Sequence, residues 1–268
     1  MRRLICRMLN VTADGVGTYS LCSMGVEGIG EGFTLPEIDG VVFDIGGVLS
    51  LPDLTLRLPE MVDADGLAAD PQAYADAHYV GVRAMFEHHG DRPFDIESQA
   101  NWRPYDAAYA SAVGDGSDVC VEAVSSLFRA GGLWTSPNVD ALEAIERMYD
   151  AGVRMAVVSN NNGSALQQLA ALGYPTTADG CPWFETVIDS EIVGVSKPDP
   201  AIFLLASEQM GLDPERLVYL GDTATVDVPG ARRAGMVPVQ LDPLRLHSDL
   251  GHLRCDSVSL LADHVLAS

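Results

Sequence analysis

The sequence predicts an α/β chain, a doubly wound parallel sheet core with an all-α insertion after its first strand. Three observations point there. Short apolar runs of strand length recur at 40–44, 153–158, 186–188, 217–220 and 237–241, and buried parallel strands read as continuous apolar runs because both of their faces are covered. Helical patterns alternate with them at 139–149, 164–172, 200–210 and 228–234, and such alternation places helices on both faces of a parallel sheet. From Pro52 to about Ser136 the alternation stops: 71–89, 97–113 and 117–130 look helical, with no β-branched run between them.

Taken in order, residues 1–37 are Gly-rich and aperiodic. The stretch Gly25-Val26-Glu27-Gly28-Ile29-Gly30-Glu31-Gly32 is too Gly-dense for a stable helix or a packed strand, so a loosely ordered leader is expected. Its Gly-x-Gly follows no strand pattern and precedes no helix pattern, which argues against a dinucleotide loop. The basic start Met1-Arg2-Arg3 lacks the apolar stretch of a signal peptide. At 40–44 an apolar run ends in Asp44 and is followed by Ile45-Gly46-Gly47. The helical stretch that comes next is large enough to serve as a lid over a site. The expected organisation is a leader (1–37), a core made of 38–51 and 136–268, and a helical cap (52–135).

Composition bounds the function. The 38 acidic and 16 basic residues give a net charge of -22. Phosphate backbones are held by clustered Lys and Arg, so this balance excludes a general nucleic-acid binder. It also argues against docking on an anionic membrane, and no run approaches the ~18 apolar residues of a membrane helix. Hydrophobic residues make up 47% of the chain, enough for a sizeable core. Cys6, Cys22, Cys120, Cys181 and Cys255 are scattered and form no Cys-x-x-Cys pair, which reads as reduced thiols in a cytoplasmic protein. The basic residues are 15 Arg and one Lys, Lys197. Coding bias accounts for the missing lysines and leaves the one present to be explained.

Ligands of open α/β sheets bind outside the carboxyl ends of the strands. Four such places carry polar groups here: Asp44 after the first strand, Ser159-Asn160 after 153–158, Lys197 ahead of Pro198-Asp199-Pro200, and Gly221-Asp222-Thr223 after 217–220, with Asp227 close behind. Singly, a strand-end Asp or Ser is often only a helix cap and a Lys only a solvated side chain. Four in this order at the tips of one sheet are harder to explain as caps.

Those residues resemble the four motifs of the haloacid dehalogenase-like superfamily: Phe43-Asp44-Ile45-Gly46-Gly47-Val48-Leu49, Val157-Val158-Ser159-Asn160, Ser196-Lys197-Pro198-Asp199 and Gly221-Asp222-Thr223-Ala224-Thr225-Val226-Asp227. The interval of 115 residues from Asp44 to Ser159 is similar to that of members with a helical cap inserted after the first strand. The likeness covers roughly 40–245 and implies a Rossmann-like core.

The resemblance implies a phosphatase of a small phosphorylated metabolite. A phosphomonoester dianion repels nucleophiles, so the site must gather positive charge and point an oxygen in line. Asp44 is the implied nucleophile, forming an aspartyl-phosphate that water cleaves. Mg²⁺ is the implied cofactor, held by Asp44, the Gly46 backbone carbonyl and Asp222, with Asp227 acting through a water. Ser159, Asn160 and Lys197 are the implied phosphate-binding groups, and Lys197 also neutralises Asp44.

One position departs from the family's phosphatases, which usually carry a second Asp two residues after the nucleophile to protonate the leaving group. Gly46 stands there, and a general acid contributes about 10²–10⁴ in rate. His78, Tyr79, His88 and His89 of the cap are candidate substitutes, set against ordinary exposed or core roles. Two rival readings stand beside the phosphatase. A dehalogenase of this superfamily commonly has an aromatic residue at the Gly46 position and no metal, and a non-catalytic binding protein would have no physical need of all four motifs.

Overall fold

The computed structural model describes residues 7–10, 18–21, 35–90, 92, 95, 98–177, 180–248 and 250–267. The chain divides into two units, 1–32 and 33–268. In the first, β1 (Arg7–Asn10) pairs antiparallel with β2 (Thr18–Leu21). The Gly-dense stretch 25–32, and with it most of the expected loose leader, lies outside the described residues.

The second unit is built on a six-stranded parallel sheet. Its strands are β3 (Gly40–Phe43), β6 (Arg154–Ser159), β7 (Thr186–Asp189), β8 (Leu217–Gly221), β9 (Val237–Leu241) and β10 (Leu253–Cys255), and two residue pairs, β4 (Ser50–Leu51) and β5 (Ser136–Pro137), form a separate antiparallel ladder. The sheet order is β10-β9-β8-β3-β6-β7. The chain starts in the middle, winds out to one edge, returns to the other side of β3 and winds outward again. This reversal opens a crevice beside β3, where such sheets bind ligands. Register sets the level: Phe43 pairs with Val157 of β6 and Leu220 of β8, so Asp44, Ser159 and Asp222 emerge together.

Alternation along the strands explains the layers. Val41 and Phe43 join a cluster with Ile145 and Met148 of α4 (Val139–Asp150) and Leu261 of α9 (Val258–Leu266). Val42 joins the opposite cluster with Ile202 and Phe203 of α7 (Pro200–Met210) and Ala231 of α8 (Asp227–Arg233). Val41, Val42 and Phe43 are wholly buried, each worth roughly 1.5–3 kcal/mol relative to exposure. Two short helices, α5 (Ala165–Ala171) and α6 (Ser190–Val193), follow β6 and β7.

The insertion is helical, as expected: α1 (Pro71–His89), α2 (Gln99–Val113) and α3 (Asp118–Ala130) share an apolar cluster of their own around Tyr74, Met85, Tyr105, Tyr109 and Leu127. Local chemistry starts two of these helices. Asp70 accepts from the Gln72 N–H with Pro71 in the first turn, and the Ser117 side chain accepts from the Cys120 N–H. Among the described residues no helix is long and apolar enough to cross a membrane. Cys120, Cys181 and Cys255 are free and buried.

The periodicity did not reveal β10 or α9. Leu253-Arg254-Cys255 is too short for an apolar run, and it becomes a strand by pairing with 239–241 of β9. The end α9 depends on the Ser257 cap and on Asp140 of α4, whose carboxylate accepts from the Val258 and Ser259 N–H groups.

Candidate active site

Asp44 follows β3, its backbone N–H held by the Leu220 carbonyl at 2.9 Å. Lys197 Nζ lies 2.7 Å from Asp44 Oδ2 and 2.7 Å from Asp227 Oδ1. It also donates to the Tyr219 hydroxyl at 3.0 Å. The lone lysine is therefore buried and fully engaged, at 3% exposure. Asn160 fixes the main chain behind it: the Asn160 Oδ1 accepts from the Lys197 N–H at 2.8 Å, and its Nδ2 donates to the Lys197 carbonyl at 3.0 Å.

Asp222 and Asp227 complete a carboxylate cluster. One oxygen from each of Asp44, Asp222 and Asp227 lies within 4.8 Å of the others, and all three residues are buried. Asp227 caps its own turn by accepting from the Thr223 N–H at 2.9 Å. That contact explains Gly221, where an added Cβ would stand 2.4 Å from Asp227 Cγ. The Asp222 backbone carbonyl accepts from Gln240 Nε2 at 2.8 Å.

Charge in the cluster is unbalanced, with three carboxylates facing one buried ammonium. Burial, with further repulsion from Asp227 and Asp222, pushes the Asp44 carboxyl up to about 7 against the opposing pull of Lys197. Burial works against the Lys197 cation, yet Asp227 and Asp44 overcome it and hold its pKa above the ordinary value. A hard dication that prefers carboxylate and carbonyl oxygens would offset this excess, so the donor set fits Mg²⁺.

These groups share one cavity of about 470 Å³. Asp44, Gly46, Ser159, Asn160, Lys197, Asp222 and Asp227 all line it, so these seven candidate residues lie around one space. Asp199 of the third motif does not belong: it caps α7, accepting from the Ala201 N–H.

Of the four cap candidates, His78 alone lines the cavity. Its Nε2 is 2.9 Å from Asp222 Oδ2 and its Nδ1 is 2.8 Å from the Tyr105 hydroxyl. Tyr79 instead donates to the Gly47 carbonyl at 2.8 Å. His88 is exposed. His89 is buried, with Nε2 2.8 Å from the Asn101 carbonyl, so it packs on α2 where an exposed helix end is the ordinary expectation.

Sequence reasoning missed several supporting groups. Tyr219 reads as strand core, yet its hydroxyl meets Lys197 and lies 3.2 Å from Asp227 Oδ1. The signal was a lone phenol in an otherwise aliphatic strand. Asp189 ends β7, and its two oxygens accept from the N–H groups of Gly163, Ala165 and Glu191, fixing the loop after Ser159. It too is a strand-end carboxylate. Trp134, Trp102 and Asp106 line the cavity from the insertion or its exit, and no motif marks them.

The sequence model of the haloacid dehalogenase-like hydrolase family matches residues 38–235. Over 111 residues the chain is 34% identical to the glyceraldehyde 3-phosphate phosphatase of Methanopyrus kandleri, spanning 40% of this chain and 44% of that protein. It is 29% identical over 104 residues to (S)-2-haloacid dehalogenase 4A of Burkholderia cepacia, spanning 38% of this chain and 42% of that one. A longer match, 26% over 210 residues, is to the phosphoglycolate phosphatase of Pectobacterium atrosepticum and spans 75% and 79%. The chain thus matches less than half the length of the first two relatives.

Proposed function

Because the chain belongs to the haloacid dehalogenase-like hydrolases, we propose that it is a Mg²⁺-dependent phosphomonoester hydrolase acting on a small phosphorylated metabolite through an aspartyl-phosphate on Asp44. The observation that carries this reading is the clamp of Lys197 between Asp44 and Asp227, beside Asp222, at the carboxyl ends of adjacent strands. The relatives named as phosphatases support it.

Asp44, Asp222 and the Gly46 carbonyl would hold the metal, with Asp227 acting through a water. Bound there, Mg²⁺ supplies positive charge against the carboxylate and phosphoryl oxygens. An Asp44 carboxylate oxygen bonds to phosphorus as the ester P–O bond breaks, and the departing alkoxide takes its proton from water. Water then attacks phosphorus, the P–O bond to Asp44 breaks, and inorganic phosphate and the free carboxylate are restored. Lys197 offsets charge on Asp44 and on the transferring group. Asn160 holds the Lys197 peptide at the phosphate subsite, and Ser159 contributes a hydroxyl. The α1–α3 insertion, 52–135, is the cap that closes over the substrate and excludes water. Gly46 has no side chain to protonate the alcohol, so esters with good leaving groups turn over faster.

The test is release of phosphate from a panel of phosphorylated metabolites and an aryl phosphate, with and without Mg²⁺, using Asp44→Asn as blank. Phosphate release that needs both Mg²⁺ and Asp44 is expected. Halide release from an (S)-2-haloacid without metal would instead establish the activity for which the Burkholderia relative is named.

A further inference from the structure

We propose that His78 is a positioning residue for the metal site: it holds Oδ2 of Asp222, leaves Oδ1 to the cation, and so couples the docking of α1 to Mg²⁺ binding. This rests on the metal-dependent reading above and adds the group that orients one of its ligands.

The Asp222 carboxylate is used unevenly. His78 Nε2 lies 2.9 Å from Oδ2, and the Thr223 hydroxyl lies 3.2 Å from the same atom. Both hydrogen bonds that reach this carboxylate from the described residues therefore go to Oδ2. A carboxylate oxygen accepts, so Nε2 carries the ring proton that it shares with Asp222. Nδ1 is then an acceptor, and the Tyr105 hydroxyl donates to it at 2.8 Å. Burial raises the Tyr105 pKa and keeps that hydroxyl protonated. Tyr105, His78 and Asp222 thus form one directional chain, from α2 through α1 to the end of β8. All three are buried, where a hydrogen bond is electrostatically stronger than in water.

Two glycines clear the path of this chain. Gly81 lies inside α1, where glycine weakens a helix. A Cβ there would stand 2.6 Å from Tyr105 Cδ2, so any larger residue would push the ring away from α1. Gly47 clears the other end, where a Cβ would stand 2.5 Å from His78 Nε2. The next residue of α1 docks as well: the Tyr79 hydroxyl donates to the Gly47 carbonyl at 2.8 Å. Consecutive residues of α1 therefore grip the two loops that carry Asp222 and the Gly46 carbonyl. Apolar packing would suffice for a cap that only covered the cavity. Outer partners of this kind fix the orientation of a metal ligand, and their loss typically costs about 10–100-fold in affinity. The coupling is reciprocal, so a contact that strengthens metal binding is itself strengthened by the metal.

Isothermal titration of Mg²⁺ into the whole chain tests the proposal, with Asp222→Asn as blank. His78→Ala should weaken binding by about 10–100-fold. His78→Gln, whose side-chain amide can donate from near the Nε2 position, should recover most of that loss. Amide hydrogen exchange of the wild-type protein gives a second readout: Mg²⁺ should slow exchange in α1 around His78. Equal or tighter binding in His78→Ala overturns the proposal and leaves the metal-dependent phosphatase standing. So does a loss in His78→Gln as large as that in His78→Ala. Unchanged exchange in α1 overturns it too, and decides the matter if His78→Ala fails to fold. Mg²⁺ binding that is absent from the wild type, or that survives in Asp222→Asn, overturns the metal reading and the proposal together.

Discussion

His78 Nε2 sits 2.9 Å from Asp222 Oδ2, and through this contact the α1 helix of the insertion touches the carboxylate cluster of the sheet. The same imidazole reaches the Tyr105 hydroxyl of α2 at 2.8 Å, so one side chain ties two helices to the strand ends. His78→Ala would leave both partners short of a hydrogen bond and open a void. The expected loss is about 2–4 kcal/mol of unfolding free energy in metal-free protein. Urea unfolding followed by circular dichroism reads it, and a loss below about 0.5 kcal/mol would mean that the contact contributes nothing to folding.

The two adjacent glycines of the first motif should respond oppositely. At Gly47, φ is 71° and an added Cβ would lie 2.5 Å from both Asp222 Cγ and His78 Nε2. At Gly46 the nearest atoms are the Trp134 ring, at an ordinary 3.7 Å. Gly47→Ala should cost about 1–3 kcal/mol and most of the activity, while Gly46→Ala should leave the thermal midpoint within about 2 °C. Gly46→Asp then has room to restore the missing acid. It should raise kcat for an alkyl phosphate more than for an aryl phosphate, because alkoxides need the proton. Equal gains on both would show that another acid already acts.

Metal binding can be read without turnover. A ligand that binds only the folded state stabilises it by about 1.4 kcal/mol when present at tenfold its dissociation constant. Mg²⁺ should therefore raise the midpoint of thermal unfolding, and Asp222→Asn should abolish that rise. An equal shift in the variant would place the metal elsewhere.

A pH prediction comes from the edge of the sheet. His252 Nε2 donates to Gln240 Oε1 at 2.6 Å. Burial, with the Arg254 and Arg232 charges, lowers its pKa from 6.5 to about 4. The unfolded chain then takes up the proton first as pH falls. The His252 contribution is neutral above pH 6.5 and destabilises progressively from 6.5 down to about 4, at most about 1.4 kcal/mol per pH unit before solvent screening reduces it. Urea midpoints measured from pH 7.5 to 4.5 should fall less steeply in His252→Gln. Parallel curves would show that other groups carry the acid sensitivity.

Much of this site was legible in the chain. Asp44, Ser159 and Asp222 stand at the ends of apolar runs and Lys197 just ahead of a helical pattern, and strand-end position is a one-dimensional property that parallel topology converts into proximity. The core strands and the helical insertion were legible for the same reason, since hydrophobic period is local. The isolated Lys197 stood out by composition, and its burial between Asp44 and Asp227 accounts for it.

What the sequence could not determine is everything that depends on which helix face meets which strand end. His78, Tyr79, His88 and His89 are nearly equivalent as text. Only the packing of α1 turns His78 to Asp222, Tyr79 to the Gly47 carbonyl and His89 to α2. Tyr219 became a partner of Lys197, and Trp102, Tyr105, Asp106 and Phe128 became one wall, through contacts between residues far apart in the chain. Sequence pattern settles the period of each element and the residues at its ends. The rotation and docking of the elements follow from long-range packing, and that packing decides how the cavity is lined.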